Sequence, residues 1–310
     1  MTGPTEAGEP WRGEARADVG ERLSAALFTG GLTVAIVATV LSLGMSFPVA
    51  RMLAPLRRVR LVAAMVGLNT IVLPAAAWGV AKAAPISEDY VGGVALAAIG
   101  AAGAAGLKAA ELSRRADLPL AVWLVIVLQL ANLVAVPLWA AAVVAGASLG
   151  PLRILPSLLL LVLLPLLVGV LVRIRWAAPA TTLRTWLFRL GNVALVVALA
   201  AGIVTNRDLL LSVLGSWVLP TALAIVALGL GLGLLVGGSD GPTRVTTSLI
   251  SGTRFSALGL IIVGTQYPDR SEYLASAITF ALVDFVVMLG AAGAIRPDAP
   301  WRRRSSRRVA

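Results

Sequence analysis

The sequence predicts an all-α polytopic membrane protein with about nine transmembrane helices. Three observations predict it. Charged residues make up only 13% of the chain, about half the share of a soluble domain. Apolar residues make up 58%, and the mean hydropathy is +0.91. The charges fall between apolar runs that are each near or above the roughly 20 residues needed to cross about 30 Å of hydrocarbon.

Taken in order, residues 1–22 are polar, with Glu6, Glu9, Glu14, Asp18 and Glu21 against Arg12, Arg16 and Arg22. They lack the basic start and short apolar core of a secretory signal and read as a disordered tail. The membrane domain covers 23–295. Its expected spans are Ala25–Phe47, Arg60–Ala84, Val91–Leu112, Pro119–Ala147, Leu152–Ile174, Trp186–Thr205, Leu211–Val236, Thr243–Thr265 and Ser271–Ile295. The second holds Asn69 and Pro74, the fourth Gln129, Asn132 and Pro137, and the fifth Pro156 and Pro165. Residues 296–310 form a basic tail. Its WRRRSSRR run reads as a solvated anchor rather than a dedicated binder of anionic lipid.

The loops orient the chain. Arg51, Arg57, Arg58 and Arg60 lie between spans one and two, and Arg114 and Arg115 follow span three. Arg173, Arg175, Arg184 and Arg189 surround the connection from five to six, and six arginines follow span nine. The alternate loops hold Lys82, Arg153, Arg207 and Arg270. Basic residues mark cytoplasmic loops, so the C-terminus is expected inside, the N-terminus outside, and the protein in the cell membrane. The net charge of +11 is therefore a matter of topology, with membrane lipids and not nucleic acid as the surroundings. The chain has no cysteine and no histidine. That removes disulfides, thiolate metal sites, cysteine nucleophiles and imidazole relays. No acidic pair faces a common site, so neither an enzyme nor a bound metal or cofactor is expected.

The chemistry concentrates in span eight, TRVTTSLISGTRFSALGLIIVG, which carries Arg254 near its middle with Gly252, Thr253 and Ser256 around it. A charge at bilayer depth costs about 2.5–3.5 kcal/mol on insertion scales, so it marks a functional position. Span three, rich in Gly100, Gly103 and Gly106, carries Gly106–Leu107–Lys108 where span eight carries Gly252–Thr253–Arg254. The two run in opposite directions. Together they suggest an inverted-repeat transporter whose interrupted helices line a substrate cavity, with breaks at Gly103, Gly106 and Gly252. Small residues at that spacing also serve plain helix packing. Asp284 in span nine is about as far from the connecting turn near Pro268 as Arg254, which predicts an Arg254–Asp284 ion pair at similar depth. Lys108 either snorkels toward the interface, with Glu111 as an i, i+3 partner, or lines the cavity. Asn132 and Gln129 are expected on the same cavity.

With these residues in view, the chain resembles the bile acid:sodium symporter family. The likeness rests on LSLGMSF followed by a basic loop and VGLNTIVLPAAAW. It continues through GAAGAAGLKAAELSRRADLPLAVWLVIVLQLANLVAVP, with its RRAD turn and Pro137, and through SGTRFSALGL. It covers most of residues 35–295. The resemblance implies a panel domain (spans one, five and six), a core domain (two, three, four, seven, eight and nine) and two crossing discontinuous helices, in the nine-span type. Aligned on RRAD, the family's sodium-binding Ser-Asn pair falls on Leu107 and Lys108. Its hydroxyl ligands fall on Ala121 and Val125, an acidic ligand on Ile250, and a nearby glutamine on Arg254. The sodium ligands are thus replaced, and Lys108 and Arg254 are expected to stand in for the ions, with Lys108 the place for proton linkage.

The expected function is secondary active transport of a small organic anion by alternating access. Two further readings stay open: an arsenite- or auxin-type efflux carrier of the wider superfamily, and a non-transporting membrane sensor or scaffold with a packed crossing. A homodimer is compatible with all of them.

Overall fold

The computed structural model describes the backbone of residues 10–46, 58–143 and 154–294. The basic tail 296–310, Arg51 and Arg57, and Arg153 lie outside the described residues. The chain forms helices α1 (Pro10–Gly44), α2 (Val59–Ala83), α3 (Glu88–Ala98), α4 (Ala104–Ser113), α5 (Leu118–Val143) and α6 (Leu155–Arg175). They are followed by α7 (Ala177–Thr205), α8 (Arg207–Leu214), α9 (Val218–Val236), α10 (Gly241–Gly252), α11 (Ser256–Gln266) and α12 (Ser271–Ala294). Seven of these are long and apolar enough to cross a membrane: α1 from Leu23, α2, α5, α6, α7, α9 and α12. In lipid a backbone must satisfy its own hydrogen bonds, which is why apolar runs of this length become helices. Large apolar side chains such as Val134, Leu160, Leu171, Val193 and Leu235 stay exposed on the outer faces. They are placed to meet acyl chains.

Four departures from the sequence reading have physical causes. Helix α1 starts at Pro10, so residues 10–22 carry helical backbone where a disordered tail was expected. Glu14, Ala15, Arg16 and Ala17 are good helix formers. Helix α7 starts at Ala177, nine residues before Trp186, because only Trp176 separates it from α6. Expected span seven is two helices, α8 and α9. The Ser216 hydroxyl donates to Val213 C=O at 2.7 Å and accepts from Val218 N–H at 3.3 Å, turning the chain between them. Spans three and eight are each split into two helices of ten to twelve residues, α3/α4 and α10/α11.

Two long helices carry a π-helical turn, Leu68–Val72 in α2 and Leu159–Leu163 in α6. Each ends just before a proline, Pro74 and Pro165. Proline lacks an N–H and collides with the carbonyl four residues back, so the helix widens there.

The helices pack in two groups. Helix α1 lies along α6 and α7. The second group surrounds the split helices: α12 packs on α3, α4, α9 and α11, α10 on α9 and α4, and α5 on α4. Close approaches use glycine. A Cβ on Gly93 of α3 would overlap Ser276 Oγ and the Tyr273 carbonyl of α12. Arg58 bonds Thr243, Asp117 bonds Thr246 and Arg184 bonds Glu111, which brings the start of α2, the end of α4 and the α6–α7 junction, with Arg58, Arg114, Arg115, Arg173 and Arg175, to one end of the bundle, the basic end.

Candidate functional site

The two breaks meet. Ala101 and Arg254 form an antiparallel bridge, and Phe255 N–H donates to Gly100 C=O at 2.9 Å. Non-helical backbone at membrane depth is tolerated only where protein satisfies it, and named side chains do so here. On the first break, Asn132 of α5 accepts from Ala101 N–H and donates to Ala101 C=O, both at 2.9 Å. Gln129 orients that amide by accepting its other N–H at 2.8 Å. On the second, Asp284 of α12 accepts from Arg254 N–H at 3.4 Å through each carboxylate oxygen, and from the Ser256 hydroxyl at 3.2 Å. The Thr253 hydroxyl donates to Leu249 C=O at the end of α10, at 2.8 Å.

The Arg254 side chain is 4% exposed and turns away from Asp284. Its Nε–H donates to Ala98 C=O at 2.7 Å. One terminal nitrogen donates to Ile99 C=O at 3.2 Å and Asn69 C=O at 3.1 Å, and the other to Asn69 Oδ1 at 3.3 Å. The first two acceptors are orphan carbonyls at the C-terminus of α3, the negative end of its dipole. The Asn69 carbonyl is free because of the π-turn. Leu73 N–H bonds Leu68 C=O, and the next donor in that register, residue 74, is a proline. The neighbouring Thr70 C=O is taken by Trp139 Nε1–H at 2.7 Å. The Asn69 amide also donates to Ser251 Oγ at 3.0 Å. A fork of five donors suits such a cluster better than an ammonium would.

Beside the crossing lies a cavity of about 270 Å³. Its walls are Ile36 and Thr39 of α1, Asn192 and Leu195 of α7, Lys108 of α4, Phe285 and Met288 of α12, and the crossing itself. Two helix N-termini open onto it, Gly103–Ala105 of α4 and Phe255–Ala257 of α11. Lys108, 41% exposed, lies 3.4 Å from Glu111 and 5.5 Å from the centre of the Phe188 ring. Glu111 also pairs with Arg184 of α7 at 2.8 Å, and Arg184 donates to Ser46 Oγ at 3.1 Å. This network joins the two helix groups on the basic side of the cavity.

Of the residues singled out in the sequence, Lys108, Arg254, Asp284, Ser256 and Gly103 line the cavity. Asn132, Gln129 and Thr253 do not; they hold the breaks. Gly106 lies inside α4 against Thr253, and Gly252 ends α10 against Leu230. The first break is therefore at residues 99–103, with Ala102 at φ 36°. Among the described residues no ion pair joins Arg254 to Asp284. Similar depth is found, but the contact is carboxylate to backbone N–H, and the guanidinium is directed instead at the carbonyls ending α3 and at Asn69. The internal repeat is also registered differently. Ala101, not Lys108, is the partner of Arg254. Asn132 and Asp284 hold equivalent places, each on the long helix after a broken pair. Asn69 went unrecognised as part of the site, although an asparagine five residues before a proline in an apolar run could have signalled it.

A cavity set against a broken-helix crossing, inside a shell of membrane-length helices, is the arrangement of a polytopic membrane transporter. The family comparison agrees. The chain belongs to the SBF-like CPA transporter family, whose match runs over residues 18–285. This family is bile acid:sodium symporter-like, in line with the resemblance read from the sequence. A search of curated proteins finds no match.

Proposed function

We propose that the protein is a secondary active transporter of a small organic anion in the cell membrane, working without the family's usual sodium sites. The observation that carries this reading is the make-up of the cavity. It lies between the α1/α7 layer and the crossing, and two helix N-termini and Lys108 give it a positive lining for a carboxylate or sulfonate. The apolar walls suit the substrate's carbon skeleton. A packed, cavity-free crossing, as a scaffold would have, is not what the chain builds.

In this reading α1, α6 and α7 form the panel and the other helices the core. Counting each broken pair as one crossing, the chain passes the membrane nine times, with the basic end and C-terminus in the cytoplasm. Rocking of core against panel exposes the cavity to each side in turn. Sodium independence is supported by Arg254. Its guanidinium is held by four neutral oxygens, the kind of shell that otherwise holds a hard cation. The organic-anion reading is tested by thermal stabilisation of the purified protein across an organic-acid library, repeated with Lys108→Gln. Stabilisation by at least one acid, weakened tenfold or more in apparent affinity by the substitution, is expected. Absence of any stabilising anion, or an affinity unmoved by Lys108→Gln, removes the cavity lining as its basis.

A further inference from the structure

We propose that Asp284 is a proton-binding site of this carrier, neutral in the state that holds the second break as Asn132 holds the first. Three observations carry the inference.

The carboxyl is 3% exposed, at the middle of a membrane-length helix, and lines the cavity. A charge so placed needs a counter-charge or a proton. Its contacts are weak for a carboxylate. Two are backbone N–H approaches at 3.4 Å and one is a hydroxyl at 3.2 Å, where charge-assisted bonds run about 2.7–2.9 Å.

The basic groups that face it are engaged elsewhere. Arg254 gives its side-chain donors to Ala98, Ile99 and Asn69 and makes no salt bridge to Asp284, so its charge acts on the carboxyl only across the crossing. Lys108 turns to Glu111. Helices α9 and α11 carry no titratable residue. In α3, Glu88 and Asp89 sit in the first turn, bonded to Lys82 and Arg270, with Tyr90 beside them. In α7, Arg184 is bonded to Glu111, and Arg189 lies over Trp186. Arg207 of α8 pairs with Asp208. Arg244 of α10 lies ten residues before Arg254, about 15 Å along the helix. On α12 itself, Glu272 and Tyr273 are in the first turn.

The third observation is the equivalence of the two breaks. Asn132 and Asp284 come from the long helices after the broken pairs, and they grip Ala101 and Arg254, which are bridged to each other. A carboxylic acid has the shape of a primary amide, with one acceptor oxygen and one donor. Protonated Asp284 can therefore accept from Arg254 N–H and still offer a donor, as Asn132 does. Ionised, it can only accept.

Protonation forms one O–H bond, on either carboxylate oxygen, with a proton drawn from water in the cavity. Release reverses it, and nothing is oxidised or reduced. On the organic-anion reading above, the site also couples. An anion in the cavity faces the Asp284 carboxylate as a like charge, so anion and proton bind best together, and a proton gradient drives the anion.

The test needs no substrate, so its failure leaves the organic-anion reading standing. The full-length protein in lipid is titrated with pH and followed by infrared difference spectroscopy. A carboxylic-acid C=O stretch should grow as pH falls and be lost in Asp284→Asn, a variant expected to fold because position 132 already carries an amide. A titrating band that persists at full intensity in Asp284→Asn, or no such band in the wild type, overturns the proposal. If Asp284→Asn fails to fold, Asp284→Glu decides. The band must then move in frequency and midpoint, and an unmoved band overturns the assignment.

Discussion

Replacing Arg254 by alanine separates a structural cation from a substrate-binding one. The guanidinium donates to four buried oxygens. A buried acceptor left without a donor costs about 1–3 kcal/mol, so the four together lose about 4–12 kcal/mol. Removing the buried charge returns its transfer penalty, about 2.5–3.5 kcal/mol. The net is a destabilisation of about 0.5–9.5 kcal/mol. The oxygens of Ala98, Ile99 and Asn69 would then face the truncated side chain, a shell that a small monovalent cation can use. At ten times its dissociation constant such an ion returns about 1.4 kcal/mol. The assay is thermal unfolding of wild type and Arg254→Ala in sodium chloride and in choline chloride at equal ionic strength. Wild type should unfold at the same temperature in both. The variant should unfold earlier in choline and recover in part in sodium, and guanidinium ion at low concentration should also rescue it. Arg254→Lys, which keeps the charge without the fork, should fall between. A variant as stable as wild type, or one blind to the choice of cation, would refute this account of Arg254.

Three further outcomes follow from the geometry. Gly93→Ala should destabilise by about 1–3 kcal/mol, the usual result of overpacking, because its Cβ meets Ser276 and the Tyr273 carbonyl; Gly79→Ala, with open space around it, serves as the thermal-unfolding control. Glu111→Gln should change stability by under about 1 kcal/mol, because the pair is partly exposed, yet speed alkylation of Ala109→Cys on the cavity wall, a clean probe in a chain without native cysteine. Asp240 caps α10, and hydrogen bonds from the Thr243 hydroxyl and backbone N–H hold its carboxyl below the usual range. A lowered folded pKa means that the cap is in place above the unfolded value and is lost as pH falls through the folded one. Amide exchange in the first turn of α10 should therefore accelerate in acid, and Asp240→Asn should remove that dependence.

Most of the scaffold was legible because lipid leaves one local signal, the length of an apolar run. Glycine density located the breaks to within a few residues. The register of the repeat was not legible from Lys108 and Arg254, since a Gly-x-basic match is short and Lys108 answers to Glu111 and the cavity rather than to any position in the bridge. The equivalence that matters lies in Asn132 and Asp284. They differ in type and are related by what they grip, which only the folded chain reveals. The same holds for Arg254. Sequence spacing correctly put Asp284 at its depth, but an arginine chooses partners by direction. The carbonyls that won, Ala98, Ile99 and Asn69, are backbone atoms with no signature of their own.

If core and panel rock as proposed, the contacts along α7 would let it act as a lever. Near one end Arg184 grips Glu111, and near the other Gly202 is pressed against Phe28 and Ile278. These points are eighteen residues apart, about 27 Å along the helix. A tilt of about 10° about the Gly202 end, modest beside known domain rotations, would carry the Arg184 end through about 5 Å. That is enough to part a 2.8 Å ion pair and let water through. In such a motion the dense glycine contact would serve as fulcrum and the softer, partly exposed ion pair as latch.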